Sequence, residues 1–226
     1  MRLDEEYCLS EYVDLGRLGD NEKVHIVRNQ VNGVIGVRKY VALDLEEIYL
    51  FLKENPNAYI PKIYECIQTD TNLIVIEEYL SGKNLEEMLK EKYFSEKDAA
   101  DIIICLCNAL YPLHHAKMPV ICRDLKAENV ILTNEGEVKL VDFDIARIYQ
   151  PGKSKDTVMM GTQGYAAPEQ FGFGQTDART DIYAMGVLLN YMLVREFPME
   201  KLTEGKFRTI VLKCIKINPE DRYQNV

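Results

Sequence analysis

The spacing of hydrophobic residues divides the chain into a strand-rich first part and a helical second part. Up to about residue 40, short apolar runs alternate with polar turns, as is typical of β-strands, and two similar runs follow. The predicted strands lie at residues 12–15, 24–27, 34–39, 60–66 and 73–76. Asn32-Gly33 is a strong signal for a hairpin turn between the second and third strands.

Helical spacing, with apolar residues three and four positions apart, occurs in two places. Residues 43–54 predict a short helix, and the helical pattern dominates from Asn84 onward. Ser95, followed three residues later by Asp98, resembles a capping box that opens a longer helix. The apolar face of that helix consists of Ala99, Ile102, Ile103, Leu106, Leu110 and Leu113. The pattern therefore predicts a mixed α+β protein.

Composition is ordinary for a globular chain: 47% of the 226 residues are hydrophobic and 28% are charged. The net charge of -9 argues against binding to nucleic acid or to an anionic membrane, because both need a basic surface. No apolar run reaches the roughly 18–20 residues of a transmembrane helix, and the charged start is unlike a signal peptide. None of the six cysteines forms a C-x-x-C pair. We therefore expect a cytoplasmic protein with reduced thiols and no membrane segment.

A charged loop between two apolar runs carries the most informative chemistry. It contains Asp124, Lys126 and Asn129, and a second apolar strand shortly afterwards ends at Asp142. Phosphoryl transfer needs a carboxylate to accept a hydroxyl proton, a cation for the moving phosphoryl group and oxygen ligands for Mg²⁺. These residue types in this order therefore suit phosphoryl transfer.

At these positions the chain resembles the eukaryotic-type (Hanks-type) serine/threonine protein kinases. The family patterns are H-R-D-x-K-x-x-N and D-F-G; here Cys122 replaces the His and Asp144 replaces the Gly. Residues 161–170 resemble the segment that ends the activation loop, and residues 177–189 resemble the buried helix of the large lobe. The resemblance is nearest to bacterial members.

The resemblance implies an α+β, bilobal, protein-kinase-like fold, with the whole chain, residues 1–226, as one kinase domain. A small antiparallel β-sheet N-lobe with one helix would take up residues 1 to about 78. A hinge would follow at about 78–83, and a mainly helical C-lobe would take up about 84–226. Three structural contacts are also implied: Asp181 with the catalytic-loop backbone, Glu169 with Arg222, and Thr162 with Asp124 and Lys126.

The resemblance also assigns catalytic roles. Asp124 would accept the proton of the substrate hydroxyl, and Lys126 would steady the γ-phosphate of ATP. Asn129 and Asp142 would be the metal ligands that hold Mg²⁺.

A second set of residues would bind the nucleotide. Lys39 would hold the α- and β-phosphates and would pair with Glu47, although Arg38 and Glu46 are rival candidates for the two roles. Gly19 would belong to a loop over the phosphates. Backbone groups of Glu78 and Leu80 would meet the adenine.

The implied function is ATP- and Mg²⁺-dependent transfer of the γ-phosphate to Ser or Thr hydroxyls of a protein substrate. One alternative is a pseudokinase or nucleotide-binding interaction module, motivated by the single Gly19 in the phosphate loop and by Asp144. A second is a small-molecule phosphotransferase, against which residues 162–169 argue. Arg123 before Asp124 is typical of members controlled by phosphorylation, and Ser154 and Thr157 are the candidate autophosphorylation sites.

Overall fold

A computed structural model describes residues 3–19, 22–152, 160–172 and 174–226. The chain divides into two compact units, of which the first ends at Ser81 and the second begins at Gly82.

The first unit is built on a five-stranded antiparallel sheet with the strand order β1-β2-β3-β5-β4. Its strands are β1 (Tyr12–Arg17), β2 (Val24–Asn29), β3 (Ile35–Val41), β4 (Ile63–Gln68) and β5 (Leu73–Glu78). Its helices are α1 (Leu3–Ser10) and α2 (Glu46–Glu54), the latter preceded by a 3₁₀ turn at Leu43–Leu45. All five predicted strands and the helix α2 are confirmed. Helix α1 was not predicted, because its short sequence has no apolar stripe of helical period.

The turn between β2 and β3 shows how local chemistry fixes the sheet. Asn29 accepts hydrogen bonds on its side-chain oxygen from the backbone of Val31 (2.9 Å) and Asn32 (3.1 Å). Gly33 then adopts a φ of 75°, which costs glycine little. The predicted hairpin is thereby confirmed, and it sets the register of β3 against β2.

The second unit contains two small sheets and four helices among its described residues. One sheet has the order β6-β8-β9, and the other pairs β7 with β10. The strands are β6 (Gly82–Asn84), β7 (Val120–Ile121), β8 (Val130–Thr133), β9 (Val138–Leu140) and β10 (Arg147–Ile148). The helices are α3 (Leu85–Glu91), α4 (Glu96–His114), α5 (Ala178–Val194) and α6 (Gly205–Cys214). Short 3₁₀ turns lie at Ala127–Asn129, Pro168–Phe171 and Pro219–Asp221.

Helix α4 begins where the sequence places it. Ser95 and Asp98 form the predicted capping box, with the Asp98 backbone donating to the Ser95 hydroxyl and the Ser95 backbone donating to Asp98, both at 3.1 Å. Helix α5 is buried along most of its length, as the family resemblance implies. The antiparallel sheet of the first unit and the helices of the second confirm the α+β kinase fold. Among the described residues, no helix is both long enough and apolar enough to cross a bilayer.

Candidate active site

The hairpin of β8 and β9 brings two of the predicted site residues to the same end of a sheet. Val130 lies opposite Leu140, and the Val141 backbone donates to the Asn129 carbonyl at 2.9 Å. Asn129 therefore precedes β8 at the point where Asp142 follows β9. The apolar strands explain this arrangement, since Val130 and Leu140 are fully buried while the polar residues fall just outside the ladder.

Asp181, near the start of α5, holds the backbone of the loop that precedes Asn129. Its two carboxylate oxygens accept hydrogen bonds from the backbone N–H groups of Cys122 (2.9 Å) and Arg123 (2.8 Å). His114, at the end of α4, also lies 2.7 Å from the Asp181 carboxylate. This buried network confirms the implied contact between Asp181 and the catalytic-loop backbone, and it fixes the position of Asp124.

The Asp124 carboxylate receives three side-chain donors. Its Oδ2 accepts from Lys126 Nζ at 2.7 Å and from Asn129 Nδ2 at 3.0 Å, and its Oδ1 accepts from the Thr162 hydroxyl at 2.7 Å. Lys126 also donates to the Thr162 oxygen at 3.1 Å, so the expected role of Thr162 is confirmed. The Asp124 side chain is 13% exposed. The geometry thus orients a carboxylate that a substrate can still reach.

The amide of Asn129 is oriented by two bonds to the same residue. Its Nδ2 donates to the main-chain oxygen of Asp124 at 2.9 Å and to the Asp124 carboxylate at 3.0 Å. Because both bonds use the nitrogen, the amide oxygen is the end of the group that could meet a cation. An amide oxygen and the Asp142 carboxylate are ligands of the kind that Mg²⁺ prefers.

A magnesium ion held in this way would depend on substrate phosphates for its other ligands. The described residues contain no group of three His, Cys, Asp or Glu side chains placed to hold a metal.

Two residues of the site have a left-handed backbone. Arg123 has a φ of 65° and Asp142 a φ of 69°. Such conformations are costly for residues other than glycine, and they concentrate at functional sites. Asp144, in the place of the family Gly, has no positive φ, and its backbone N–H donates to Asp142 Oδ1 at 3.1 Å. The replacement of Gly by Asp therefore puts no left-handed strain on residue 144.

Cys122 is fully buried. Burial, together with the negative charge of Asp181, raises the pKa of the Cys122 thiol well above its ordinary value. A thiol kept neutral is a poor nucleophile. The substitution of Cys for the family His therefore leaves an inert packing group.

Lys39 and its rival Arg38 lie on opposite faces of β3, because side chains alternate along a strand. Arg38 pairs with Asp14 of β1 at 2.5 Å, and His25 also lies 2.7 Å from that carboxylate. Desolvation alone would raise the pKa of Asp14, but the hydrogen bond from the Gly16 backbone N–H, together with the nearby His25 and Arg38, outweighs it and lowers that pKa. Lys39 lies on the other face with Val37.

The carboxylate at Lys39 is Glu77, on β5, with Nζ and Oε1 2.5 Å apart. Glu77 was not predicted as the partner of Lys39. One available signal was that Leu73, Val75 and Glu77 alternate onto one face, which places an acid in an otherwise buried apolar row. Glu47 is exposed on α2 and Glu46 is half-buried. The pairing of Lys39 with Glu47 stays a prediction.

The other predicted nucleotide contacts fall on the first unit. Gly19 has a φ of 68° and lies in the turn after β1, whose tip at residues 20–21 is outside the described residues. The Glu78 backbone N–H donates to the Lys62 carbonyl at 2.8 Å, so a contact with adenine at Glu78 would use its carbonyl oxygen. Leu80 is half-buried shortly after β5.

Arg123 is the residue from which control by phosphorylation was predicted. Its Nε donates to the Ile145 carbonyl at 2.8 Å. Burial lowers the pKa of Arg123, and the positive charge of Arg147 adds to the effect. The candidate acceptors Ser154 and Thr157 lie outside the described residues.

The implied ion pair of the second unit is confirmed. Arg222 is fully buried and donates to the two carboxylate oxygens of Glu169 at 2.7 and 2.8 Å. The Thr180 hydroxyl adds a third bond to Glu169 at 2.9 Å. The pair ties the end of the chain to the segment that follows Thr162.

The antiparallel sheet, the helical second unit and the loops around Asp124 define a protein kinase domain. The family described as the protein kinase domain matches residues 27–225, and the chain therefore belongs to it. The probable serine/threonine-protein kinase PknB of Corynebacterium glutamicum is 38% identical over 130 residues, which are 56% of this chain and 20% of that protein. Protein kinase C zeta type of Oryctolagus cuniculus is 29% identical over 224 residues, which are 90% of this chain and 37% of that protein.

A third relative, an EPD1-interacting receptor-like cytoplasmic serine/threonine-protein kinase of Gossypium barbadense, is 32% identical over 157 residues. These cover 67% of this chain and 34% of that protein. The chain thus spans between a fifth and about two fifths of the length of these relatives. The chain is a Hanks-type serine/threonine kinase domain by family.

Proposed function

We propose that this chain is an active protein kinase that transfers the γ-phosphate of ATP to Ser or Thr hydroxyls with the help of Mg²⁺. The observation that carries the proposal is the set of bonds around the Asp124 carboxylate, which receives donors from Lys126, Asn129 and Thr162. In a site that had lost its activity, these three donors would not need to stay within hydrogen-bonding distance of Asp124. Each carboxylate oxygen has more than one lone pair, so a substrate hydroxyl can still bond to Asp124.

In the proposed reaction the substrate oxygen attacks the γ-phosphorus and its proton passes to the Asp124 carboxylate. The bond between the γ-phosphorus and the β,γ-bridging oxygen breaks, and ADP leaves. Lys126, 2.7 Å from Asp124, balances the negative charge on the transferring group. Asn129 and Asp142 would hold Mg²⁺, which neutralises phosphate charge when bound. Lys39 would bind the α- and β-phosphates.

Several features support Ser or Thr as acceptor. Lys126 links Asp124 to Thr162, and two of the three relatives described above are named as serine/threonine-protein kinases. The proposal includes autophosphorylation at Ser154 or Thr157, with Arg123 as a partner for the phosphate. Because ATP is a cytoplasmic substrate, we also place the domain in the cytoplasm.

The pseudokinase alternative has one remaining support. The turn after β1 carries the single Gly19, whereas Asp144 is not strained. A nucleotide-binding module without catalysis would still use Lys39 and Asp142. The two functions therefore differ in phosphate transfer and not in nucleotide binding.

The test measures transfer of radiolabelled phosphate from ATP to a generic basic protein and to the chain itself. We expect transfer with Mg²⁺, none with excess chelator, and label on serine and threonine after acid hydrolysis. Asp124→Asn should abolish transfer while nucleotide binding, followed with a fluorescent ATP analogue, persists. Binding by the unaltered chain without any transfer would establish the pseudokinase alternative. Transfer to sugars or aminoglycosides but to no peptide would establish the small-molecule alternative.

A further inference from the structure

The ion pair between Lys39 and Glu77 is built into the sheet of the first unit. In the ladder of β3 and β5, Lys39 lies opposite Val75, and Val37 lies opposite Glu77. Directly opposed residues of an antiparallel pair share a face, and so do residues two apart on one strand. Lys39 and Glu77 are therefore diagonal neighbours on one face of two hydrogen-bonded strands.

Burial makes this pairing specific. The side chain of Lys39 is 14% exposed and that of Glu77 is 8% exposed, with Nζ and Oε1 2.5 Å apart. The neighbouring Val37 and Val75 are buried and apolar. A carboxylate in such surroundings is stable only when it is paired, so Glu77 requires a cation at this position.

The pair differs from the surface ion pairs of the same unit. Lys53 and Glu65 lie 2.9 Å apart, but about a third of each side chain is exposed. Glu47 on α2, the predicted partner of Lys39, is exposed. The described geometry thus offers Lys39 a buried carboxylate on a strand, while the carboxylates of α2 lie nearer to solvent.

We infer that Glu77 is the positioning residue of Lys39: it holds the ammonium on the face of β3 where the lysine would bind nucleotide phosphates. This inference rests on the proposed function, since it names what prepares the phosphate-binding lysine. Because both partners belong to hydrogen-bonded strands, the lysine is held in place independently of the position of α2.

The first test measures how fast the Lys39 amine is acylated, and it needs no nucleotide. An ammonium bonded to a carboxylate is a poor nucleophile, so Lys39 should react slowly with an amine-acylating reagent, scored by peptide mass spectrometry. Glu77→Gln removes the charge and keeps the side-chain size, and it should speed acylation of Lys39 several-fold. Glu77→Asp, which keeps the charge, should react at a rate closer to that of the unaltered chain.

The second test separates positioning from stability. In kinase assays we expect Glu77→Gln to raise KM for ATP roughly tenfold, as loss of one charge-assisted bond does, with a smaller change in kcat. Glu65→Gln is the matched control, since it removes a glutamate of the same sheet from a more exposed ion pair, with Lys53 of α2. It should leave KM, Lys39 acylation and the acylation of Lys62 unchanged. Melting temperatures check that all variants fold.

The outcomes distinguish this inference from the proposed function. Suppose that the unaltered chain transfers phosphate, that Glu47→Gln raises KM and speeds Lys39 acylation, and that Glu77→Gln does neither. The inference is then wrong, while the proposed kinase activity is supported. If the unaltered chain transfers no phosphate, catalysis is rejected. The inference is still supported if ATP, but not adenosine, protects Lys39 from acylation and if this protection is lost in Glu77→Gln. Unchanged acylation in Glu77→Gln rejects the inference whatever the activity.

Discussion

Thr162 and Asp124 are joined by a hydrogen bond of 2.7 Å although 38 residues separate them in sequence. The same hydroxyl oxygen accepts from Lys126 at 3.1 Å. One threonine therefore links the proposed proton acceptor and the proposed phosphate-binding cation, and it ties both to the segment that ends the activation loop.

Thr162→Val should lower kcat by about ten- to a hundredfold with little change in KM for ATP. Valine has the shape of threonine but no hydroxyl, so Asp124 and Lys126 lose a shared partner and their alignment with the substrate. Steady-state kinetics on a peptide measure the effect. Thr162→Ser keeps the hydroxyl and should retain most of the activity. Equal loss in both variants would mean that the methyl group, and not the hydroxyl, matters.

Asp144→Gly restores the residue typical of the family and should bring no gain. Because Asp144 has no positive φ, glycine relieves no strain there. It instead adds freedom to the unfolded chain, which costs about 0.5–1 kcal/mol of unfolding free energy. We expect kcat within about threefold of the unaltered chain and a slightly lower urea midpoint. A large rise in activity on this change would show that Asp144 is inhibitory, as the pseudokinase alternative supposes.

Glu169→Gln should destabilise the second unit by about 3–5 kcal/mol, because Arg222 would remain buried without its counter-charge. The matched control is Glu220→Gln. Glu220 pairs with Arg179 at 2.8 Å, but its side chain is 71% exposed, so its loss should cost less than about 1 kcal/mol. Urea unfolding followed by circular dichroism measures both changes. Similar losses in the two variants would show that burial of the first pair contributes little.

The sequence predicted the fold well wherever period and turn chemistry agreed. Asn32-Gly33 and the Ser95–Asp98 box each fix a boundary by a local bond that depends on few residues. The order of the site loops also followed from the pattern, because Asn129 precedes β8 and Asp142 follows β9, and these two strands pair. Asp124 follows β7, in another sheet, and lies beside Asn129 through a side-chain hydrogen bond. Local patterns therefore sufficed for most elements but not for helix α1.

Two features were not predicted. One depends on the register between strands β3 and β5, and the other depends on a backbone dihedral angle. The partner of Lys39 is set by which residues of β5 lie opposite β3, and Glu77 becomes a neighbour only through that pairing. The strained residue near the proposed metal site is Asp142 and not Asp144, since the backbone turns after β9 two residues earlier than the glycine of the family pattern suggests. Neither the pairing nor the dihedral angle is encoded in residue type alone.

The thiols of the half-buried Cys66 and the buried Cys214 predict that the protein loses stability in alkali. Burial raises the pKa of Cys66 from 9.0 to about 11 and that of Cys214 from 9.0 to about 12. In the unfolded chain both thiols ionise near pH 9, whereas in the folded chain they stay neutral. The unfolded state therefore binds fewer protons above pH 9, and the free energy of unfolding falls as the pH rises towards 11 or 12.

Urea unfolding at pH 8, 9.5 and 10.5 tests this dependence. The midpoint should fall between pH 9 and 10.5, and the fall should be smaller in Cys214→Ser, which has no thiol to ionise at that position. Cys105→Ser is the control. Burial raises the pKa of both thiols, but Cys105 is only half-buried whereas Cys214 is buried. An identical pH dependence in the unaltered chain and in Cys214→Ser would mean that this thiol is not protected from ionisation in the folded protein.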